Sequence, residues 1–307
     1  MKISVCTIGA GRADHLDFLV RGLRASLLQP DELVIGVMQD DLYDLPDTDF
    51  PIRQIFVPGE GLPLAKARNI AASAARGELL IFLDVDCIPS PHLIGDYARL
   101  ADAGGILMGE VRYLPRGITD SGIDWERFDA LSVEHRDRAG PPVDPLGPCH
   151  DYRCFWSLNF SLSREDWARV GGFDESYDGY GGEDTDFGRM ADAAGLAFWW
   201  TRGARAYHQY HPHHMPPVHH LDSVIANAER FRDKWGHHTM EHWLRCFRLM
   251  GLAAPIDGRW QRLRDTCEDD LALTRQQADQ PYASSAIVLA QLEAEAEAAT
   301  APEMAAS

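Results

Sequence analysis

Two aspartates one residue apart are the first candidates for chemistry in this sequence. Asp84 and Asp86 come directly after the apolar run 79–83, so they stand where a buried strand would end. Carboxylates at a strand end can hold a divalent cation such as Mn²⁺ or Mg²⁺, which in turn neutralises the phosphates of a bound substrate. The alternative for such an Asp-x-Asp pair is a solvated strand end without a ligand.

A second acidic pair, Glu183 and Asp184, follows the glycines Gly181 and Gly182. Two glycines permit the close approach of a substrate, and a carboxylate beside them can take a proton from an attacking hydroxyl as a general base. The same acids also open a predicted helix, where they interact favourably with the helix dipole whether or not they bind anything. A catalytic role and a helix-start role both remain open.

Histidines crowd a later segment of the chain, at His208, His211, His213, His214, His219 and His220. One of them can complete the ligand set of a cation held by the aspartates, and a neutral imidazole suits Mn²⁺ better than Mg²⁺. A dedicated zinc site is a second interpretation, although no cysteine accompanies the histidines, and a polar loop without metal is a third. The spacing does not decide between His208 and His211 as the ligand.

The glycines Gly9 and Gly11 follow the first apolar run in the manner of a dinucleotide-binding loop. However, Asp14 stands where the third glycine of that fingerprint belongs. The incomplete fingerprint argues against a nicotinamide cofactor.

Composition narrows the function classes further. The 307 residues carry a formal net charge of −18 at pH 7, which argues against a nucleic-acid or anionic-membrane surface. The six cysteines form no CxxC pair, and no apolar run approaches the ~20 residues of a membrane-spanning helix. We therefore expect reduced thiols, no integral membrane segment and a cytoplasmic location.

The elements that must position these residues alternate along the first part of the chain. Strands and helices are predicted in turn over 3–8, 16–28, 33–38, 52–57, 64–75 and 79–83. This alternation predicts an α/β fold with a mostly parallel central sheet flanked by helices. Ligands of such sheets bind at the carboxyl ends of the strands, which is where Asp40, Asp84 and Asp86 fall.

The remaining chain has a less regular pattern. A helix is predicted over 91–100, a strand over 105–113, loops over 114–151, a strand over 155–163, a short helix over 164–170 and helices over 183–194 and 221–250. The loops are long enough to cover a site.

A resemblance to family-two glycosyltransferases of the GT-A fold is carried by residues 67–71, Ala-Arg-Asn-Ile-Ala, and by residues 75–86, Ala-Arg-Gly-Glu-Leu-Leu-Ile-Phe-Leu-Asp-Val-Asp. Downstream, residues 159–161, 171–175 and 181–187 are similar to the acceptor side of that family. The Gly-Gly-Glu-Asp segment at 181–184 also resembles the galactosyltransferase and chondroitin-polymerase branches. The matches keep the family's order over roughly residues 1–212.

The resemblance implies roles for the donor side of the site. Thr7, Gly9 and Asp40 would hold the nucleoside, Arg68 would approach the donor, and Asp84 would contact its ribose or sugar. The metal, Mn²⁺ or Mg²⁺, would be bound by Asp86 and by His208, which resembles the distal histidine ligand of the polymerase branch.

On the acceptor side, the resemblance implies that Asn159 and Glu183 bind the acceptor and that Asp184 is the catalytic base. Trp156 lies just before the Asn159 motif and is a candidate stacking platform for a sugar, whereas most aromatic residues belong to a core. A single displacement with such a base inverts the anomeric configuration.

These implications give a domain plan and a function. Residues 1–220 are expected to form the catalytic domain (1–112 the nucleotide-sugar half, 113–220 the acceptor half), 221–283 a helical C-terminal extension, and 284–307 an Ala/Glu-rich tail that is a solvated helix or a frayed end. The expected reaction moves a hexose or N-acetylhexosamine from a UDP-sugar to a glycan, glycolipid or small-molecule acceptor. A nucleotidyltransferase of related fold and a non-catalytic carbohydrate-binding protein are the alternatives, and the first would leave the Gly-Gly-Glu-Asp segment unexplained.

Overall fold

The computed structural model describes residues 1–59 and 61–300, the side chains of residues 299 and 300 excepted. The chain divides into two compact units. The first comprises Met1–Asp178 and Glu183–Tyr210, and the second comprises Gly179–Gly182 and the chain from His211 onward.

The first unit contains twelve strands and six helices among its described residues. The strands are β1 (Ile3–Gly9), β2 (Glu32–Val37), β3 (Ile52–Phe56), β4 (Leu79–Leu83), β5 (Cys87–Pro89), β6 (Ile106–Met108), β7 (Val111–Tyr113), β8 (Val133–Glu134), β9 (Leu146–Cys149), β10 (Asn159–Ser163), β11 (Phe198–Thr201) and β12 (Ala206–His208). The helices are α1 (Ala13–Arg24), α2 (Leu64–Ala74), α3 (Leu93–Leu100), α4 (Trp125–Leu131), α5 (Arg164–Val170) and α6 (Glu183–Ala193).

Eight of these strands form a main sheet in the order β3-β2-β1-β4-β10-β6-β11-β9. β3, β2, β1 and β4 are parallel to one another, and β11 is parallel to β6. β10 runs antiparallel between β4 and β6, and β9 runs antiparallel to β11. The predicted α/β architecture is confirmed, with a mixed sheet whose antiparallel strands could not be foreseen because apolar runs carry no direction.

Both faces of the main sheet are buried. Alternate residues of each strand point to opposite sides and so contribute to two different apolar clusters. In β4, Ile81 packs in one apolar cluster with Leu16 and Leu19 of α1. Its neighbour Phe82 packs in the opposite cluster with Ala71 of α2. Each fully buried aliphatic side chain of this kind contributes roughly 1.5–3 kcal/mol to folding, so the end of β4 is rigidly held.

A smaller sheet, in the order β5-β12-β7-β8, extends beyond the end of β4. The predicted strand 105–113 was wrong in one respect, because it is broken at Gly109 into β6 of the main sheet and β7 of the small sheet. A side chain at Gly109 would collide with the side chains of Asn159 and Tyr97 and would lie 2.5 Å from the carbonyl oxygen of Ala204. The chain can change sheets here only because the residue is glycine.

The predicted loop region 114–151 was also wrong in part, because it contains α4, β8 and β9. The start of α4 is fixed by Asp124, whose side chain accepts a hydrogen bond of 3.0 Å from the backbone N–H of Arg127. Aspartate at such a position is a favoured N-cap.

The second unit contains the helices α7 (Leu221–Trp235), α8 (Glu241–Leu249), α9 (Glu268–Thr274) and α10 (Ser285–Thr300) and the hairpin strands β13 (Ala253–Ile256) and β14 (Arg259–Arg262). The single helix predicted over 221–250 was wrong, because Gly236 takes the left-handed conformation, with φ of 82°, and ends α7 there. Val288 and Leu292 of α10 pack against Cys246 of α8, so the tail predicted from residue 284 is helical through 300. Residues 301–307 of that predicted tail lie outside the described part.

Residues 179–182 pack within the second unit. The side-chain amide of Asn227 donates a hydrogen bond of 2.8 Å to the carbonyl oxygen of Gly181, and Tyr180 packs in the apolar cluster of α7 and α8. The predicted boundary after residue 220 stays a prediction about domains. None of the helices within residues 1–59 and 61–300 combines the length and the apolar character that crossing a bilayer requires.

Candidate active site

The two aspartates at the end of β4 lie in a tight turn. The backbone N–H of Asp84 donates to the carbonyl oxygen of Leu158 at 3.0 Å, and the backbone N–H of Cys87 donates to the carbonyl oxygen of Asp84 at 2.9 Å. The turn is therefore tied both to the residue before β10 and to itself. Asp84 is 23% exposed at its side chain and Asp86 is 9% exposed, so Asp86 is the more enclosed carboxylate.

His208 lies beside Asp86 because of strand register. β12 pairs antiparallel with β5 so that His208 lies opposite Cys87, and it pairs parallel with β7 so that His208 lies opposite Tyr113. Nε2 of His208 is 3.5 Å from Oδ1 of Asp86. The imidazole also stacks on the Tyr113 ring, with 4.8 Å between centroids, which fixes its plane. The backbone N–H of Gln209 donates to the carbonyl oxygen of Asp86 at 2.8 Å and completes the junction.

Arg12 is a site residue to which the sequence analysis gave no role. Its Nη1 donates a hydrogen bond of 2.6 Å to Oδ2 of Asp86. Arg12 precedes α1 with φ of 51° and ψ of 37°, a left-handed conformation that is uncommon outside glycine. The acidic pair itself was the available signal, because two enclosed carboxylates require a nearby cation.

The loop that carries Arg12 is held by residues after β2. The backbone N–H of Gly11 donates to Oε1 of Gln39 at 2.7 Å, and the hydroxyl of Tyr43 donates to the carbonyl oxygen of Gly11 at 2.8 Å. Burial raises the pKa of Tyr43 to about 12, so this hydroxyl stays protonated. Gln39 and Tyr43 were also missed from the sequence.

Arg68 joins the two acidic pairs. Its Nη2 donates to Oδ1 of Asp84 at 3.3 Å, and its Nη1 donates to Oε1 of Glu183 at 3.2 Å. The guanidinium also lies 5.3 Å from the centre of the Phe173 ring. Burial by itself would lower the pKa of Arg68, but the carboxylates of Asp84, Glu183 and Asp184 outweigh burial and raise it. Arg68 is therefore a permanent cation at the centre of the site.

One arginine does not neutralise three carboxylates, and the aspartate pKa values reflect this. Burial, followed by repulsion from Glu183, raises the pKa of Asp184 to about 7, against the lowering effect of Arg68 and of the hydrogen bond from the Thr185 backbone. Burial also raises the pKa of Asp84 to about 6, with Arg68 opposing the shift and Asp86 adding to it. Perturbed carboxyl groups of this kind are typical of functional sites.

The residues predicted to hold a nucleoside lie at the ends of β1 and β2. Thr7 is 2% exposed, and its hydroxyl has no hydrogen-bond partner among the described residues. A side chain at Gly9 would collide with the Tyr43 hydroxyl, at 2.6 Å. Asp40 is exposed just beyond β2. The structure thus brings the three residues to the carboxyl ends of neighbouring strands, and their contact with a nucleoside stays a prediction.

The residues predicted to bind the acceptor have different environments. Asn159 is 1% exposed and is fully used within the protein, because it accepts a hydrogen bond from the Tyr97 hydroxyl and donates to the carbonyl oxygens of Glu110 and Ala204. It positions β10 relative to the crossing at Gly109, and its predicted contact with an acceptor stays a prediction. Glu183 keeps one carboxylate oxygen, Oε2, without a hydrogen bond among the described residues.

Trp156 is partly buried and belongs to an aromatic group. Its ring meets the His135 ring edge-on at 5.0 Å, and the guanidinium of Arg138 lies 5.0 Å from its centre. The stacking role predicted for Trp156 is neither required nor prevented by this packing.

Two family models match parts of the chain. Residues 36–159 match glycosyl transferase family 2, and residues 142–214 match the N-terminal domain of galactosyltransferase. These parts of the chain are similar to glycosyltransferases, in agreement with the resemblance drawn from the sequence. The second match covers the Gly-Gly-Glu-Asp segment and His208.

Curated relatives of this chain include enzymes with sugar substrates. Validoxylamine A glucosyltransferase of Streptomyces hygroscopicus subsp. jinggangensis (strain 5008) is 30% identical over 198 residues, which is 59% of this chain and 46% of the relative. Chondroitin synthase of Escherichia coli is 28% identical over 175 residues, 50% of this chain and 26% of that protein. The chain thus spans less than half the length of either relative.

A solved structure shows the same fold at low identity. GalNAc-T7 with UDP, GalNAc and Mn²⁺ aligns with a TM-score of 0.50 and 14% identity, covering 68% of this chain and 43% of that one. This likeness concerns the fold only.

Proposed function

We propose that this protein transfers a hexose or N-acetylhexosamine from a UDP-sugar to a hydroxyl group of a glycan, glycolipid or small molecule, with inversion at the anomeric carbon. The observation that carries the proposal is the link through Arg68 between Asp84, at the end of β4, and Glu183, at the start of α6. A donor-binding acid and an acceptor-side acid therefore belong to one site.

A divalent cation fits the donor side of this site. Asp86 offers a carboxylate oxygen and His208 an imidazole nitrogen 3.5 Å away, which is a donor set that suits Mn²⁺. The guanidinium of Arg12 already places a positive charge on the same carboxylate. When bound, such a cation neutralises the diphosphate of the donor and stabilises the departing nucleoside diphosphate.

The family-two relatives support the choice of donor and metal. Two of them are named as enzymes that transfer or polymerise sugars, and the fold relative GalNAc-T7 was solved with UDP and Mn²⁺. We carry UDP-sugar and Mn²⁺ over to this chain as part of the proposal, with Mg²⁺ as the alternative ion.

Asp184 has the properties of the base. With a pKa of about 7 it is half ionised near neutral pH, where a carboxylate of raised pKa accepts a proton more readily than an ordinary one. In the proposed step the acceptor hydroxyl gives its proton to Asp184 while its oxygen forms a bond to the anomeric carbon. The bond from that carbon to the diphosphate oxygen breaks on the opposite face, which inverts the configuration.

Glu183 has a separate part in the proposed site. Oε1 is anchored by Arg68, whereas Oε2 is available to accept a hydrogen bond from the acceptor. Glu183 therefore orients the acceptor while Asp184 takes its proton.

A panel of nucleotide sugars incubated with the protein and Mn²⁺ tests the proposal. Released UDP is measured without and with candidate acceptors, and the anomeric configuration of any product is assigned by NMR. UDP release from a UDP-hexose or UDP-N-acetylhexosamine supports transfer. Pyrophosphate production from a nucleoside triphosphate and a sugar phosphate would point to the nucleotidyltransferase, and binding without turnover would point to a carbohydrate-binding protein.

A further inference from the structure

Arg138 is partly exposed as a residue, but its guanidinium nitrogens Nη1 and Nη2 are buried, and the site described above does not use them. It lies in the segment 135–145, which contains no helix or strand between β8 and β9. Its guanidinium lies between two indole rings, 5.0 Å from the centre of Trp156 and 5.1 Å from that of Trp200. Within the described part of the chain, neither Nη1 nor Nη2 makes a hydrogen bond, although both are buried.

This environment is costly for a guanidinium. The faces of the two rings attract the cation, but the rings do not accept hydrogen bonds from its N–H groups as a carboxylate would. Burial accordingly lowers the pKa of Arg138. Arg68, the buried arginine of the site described above, has two carboxylate partners, and Arg138 has none among the described residues.

A small cavity adjoins Arg138. Its lining includes Glu110, Glu134, Arg112 and Thr201. Each glutamate is paired with an arginine, because Glu110 lies 2.9 Å from Arg205 and Glu134 lies 3.2 Å from Arg112, although Arg205 also pairs with Asp129. Among the described residues, the Nη atoms of Arg138 have no carboxylate partner, so Arg138 is the lining arginine that is available to an anion. The cavity volume is about 20 Å³. This is room for one small group and not for a sugar ring.

The cavity is on the acceptor half of the sheet. Trp200 belongs to β11, and β4, β10 and β6 separate β11 from β1 and β2, where the nucleoside residues lie. The other ring that holds Arg138 is Trp156, the predicted sugar platform. We therefore expect a group that binds Arg138 to belong to the acceptor and not to the nucleotide.

We propose that Arg138 binds an oxyanion, a carboxylate or a phosphate, carried by the acceptor, while the acceptor sugar rests near Trp156. This inference rests on the proposed transferase function and deepens it, because it makes the acceptor an acidic molecule. Since both Nη atoms are covered, the segment 135–145 moves aside when the anion enters. The planar fork of the guanidinium then forms two parallel hydrogen bonds with the oxyanion.

Calorimetry with two pairs of probes tests the proposal. Methyl glucuronide is compared with methyl glucoside, and glycerol 3-phosphate with glycerol, each titrated into the protein with UDP and Mn²⁺. We expect at least one charged probe to bind on the order of tenfold more tightly than its neutral counterpart. The first pair reports a carboxylate subsite and the second a phosphate subsite.

Three variants assign the preference to one side chain. Arg138→Met should reduce the ratio of affinities to about one, and Arg138→Lys should keep part of it, since lysine retains the charge without the fork. Arg136→Met removes an exposed charge from the same segment and should leave the ratio unchanged. Thermal melting checks folding, and Arg138→Met should melt no lower than the wild type, because methionine keeps the packing against the two rings and removes a buried cation that has no carboxylate partner among the described residues. If Arg138→Met does not fold, the reduced ratio of Arg138→Lys decides.

Equal binding of charged and neutral probes by the wild type, or an unchanged preference in Arg138→Lys and Arg138→Met, would overturn the proposal. UDP release from the donor panel is measured on the same samples. Release without any anion preference removes this inference and leaves the proposed function standing. An Arg138-dependent preference without UDP release from any donor removes the proposed function and leaves the anion site standing.

Discussion

Nη1 of Arg12 lies 2.6 Å from Oδ2 of Asp86, the carboxylate that we propose as a metal ligand. The Arg12 side chain is 39% exposed, so it can leave the site when a metal arrives. We predict that Arg12→Met tightens Mn²⁺ binding to the nucleotide-free protein roughly two- to fivefold, because a partly exposed ion pair of modest strength no longer competes. Calorimetry measures the affinity. Arg21→Met, which removes an exposed arginine of α1 paired with Asp17, is the control, and unchanged affinity in Arg12→Met would refute the competition.

Asp86 itself should be indispensable. We expect Asp86→Ala to lower turnover on the order of 10³-fold even with saturating Mn²⁺, since a bound metal supplies several kcal/mol of charge stabilisation to the leaving group. Asp102→Ala, an exposed acid that follows α3, should leave turnover unchanged. Turnover of Asp86→Ala at the wild-type rate in the presence of a chelator would remove the metal from the mechanism.

His208 is predicted to be the second protein ligand of the metal. We expect His208→Ala to raise the Mn²⁺ concentration for half-maximal rate at least about tenfold, because one of the two proposed ligands is lost. The matched variant is His211→Ala, which removes the rival histidine. A manganese dependence that changes only in His211→Ala would show that the assignment is wrong.

Asp184 should control both the rate and its pH dependence. Asp184→Asn keeps the size of the side chain and should cut transfer on the order of 10²- to 10⁴-fold, with thermal melting and donor affinity preserved. The wild-type rate should rise as the pH increases through about 7, because the raised pKa keeps the base protonated below that pH. The variant should lack this rise.

Glu183→Gln separates the base from its neighbour. This variant should act mainly through the acceptor, raising its KM, since Glu183 orients the acceptor in our proposal. An Asp184→Asn protein with near-normal turnover, or a product that retains the donor configuration, would contradict the single inverting displacement.

Arg68 should matter for stability as well as for the site. Arg68→Met leaves Asp84 and Glu183 without their shared cation, and breaking a buried ion pair from one side costs about 3–5 kcal/mol. Denaturant unfolding at pH 8, above the pKa of about 6 that Asp84 has in the wild type, measures the loss. Arg169→Met, which removes a half-exposed arginine from its partner Asp166, should cost much less. Equal losses of unfolding free energy in the two variants would show that the ion pairs of Arg68 stabilise the protein no more than a half-exposed pair does.

The parts of the site that could be predicted are those with a local signal. An apolar run followed by Asp84 and Asp86 fixes both β4 and the acid pair, and the predicted strand 79–83 agrees with the structure residue for residue. The helix 164–170 was likewise predicted at its observed bounds, where Ser163 accepts a hydrogen bond from the backbone of Asp166 as its N-cap.

The remaining features depend on contacts between distant residues. Arg12 and Asp86 are 74 positions apart in the chain, and no periodic pattern links them. The same holds for Arg138 between Trp156 and Trp200. The break of the predicted strand at Gly109 depends on Asn159, Tyr97 and Ala204, which only the folded chain brings to that point.

That crossing at Gly109 limits which substitutions the chain can accept at this position. Through β7 and Tyr113, the position is coupled to His208, yet Gly109 itself has no side chain with which to touch a substrate. Any larger residue would collide with Asn159 and Tyr97 and displace the two sheets from each other. We expect such a variant to lose activity because His208 is displaced. In a saturation mutagenesis library, codon 109 would therefore resemble a catalytic position, although its intolerance comes from the architecture alone.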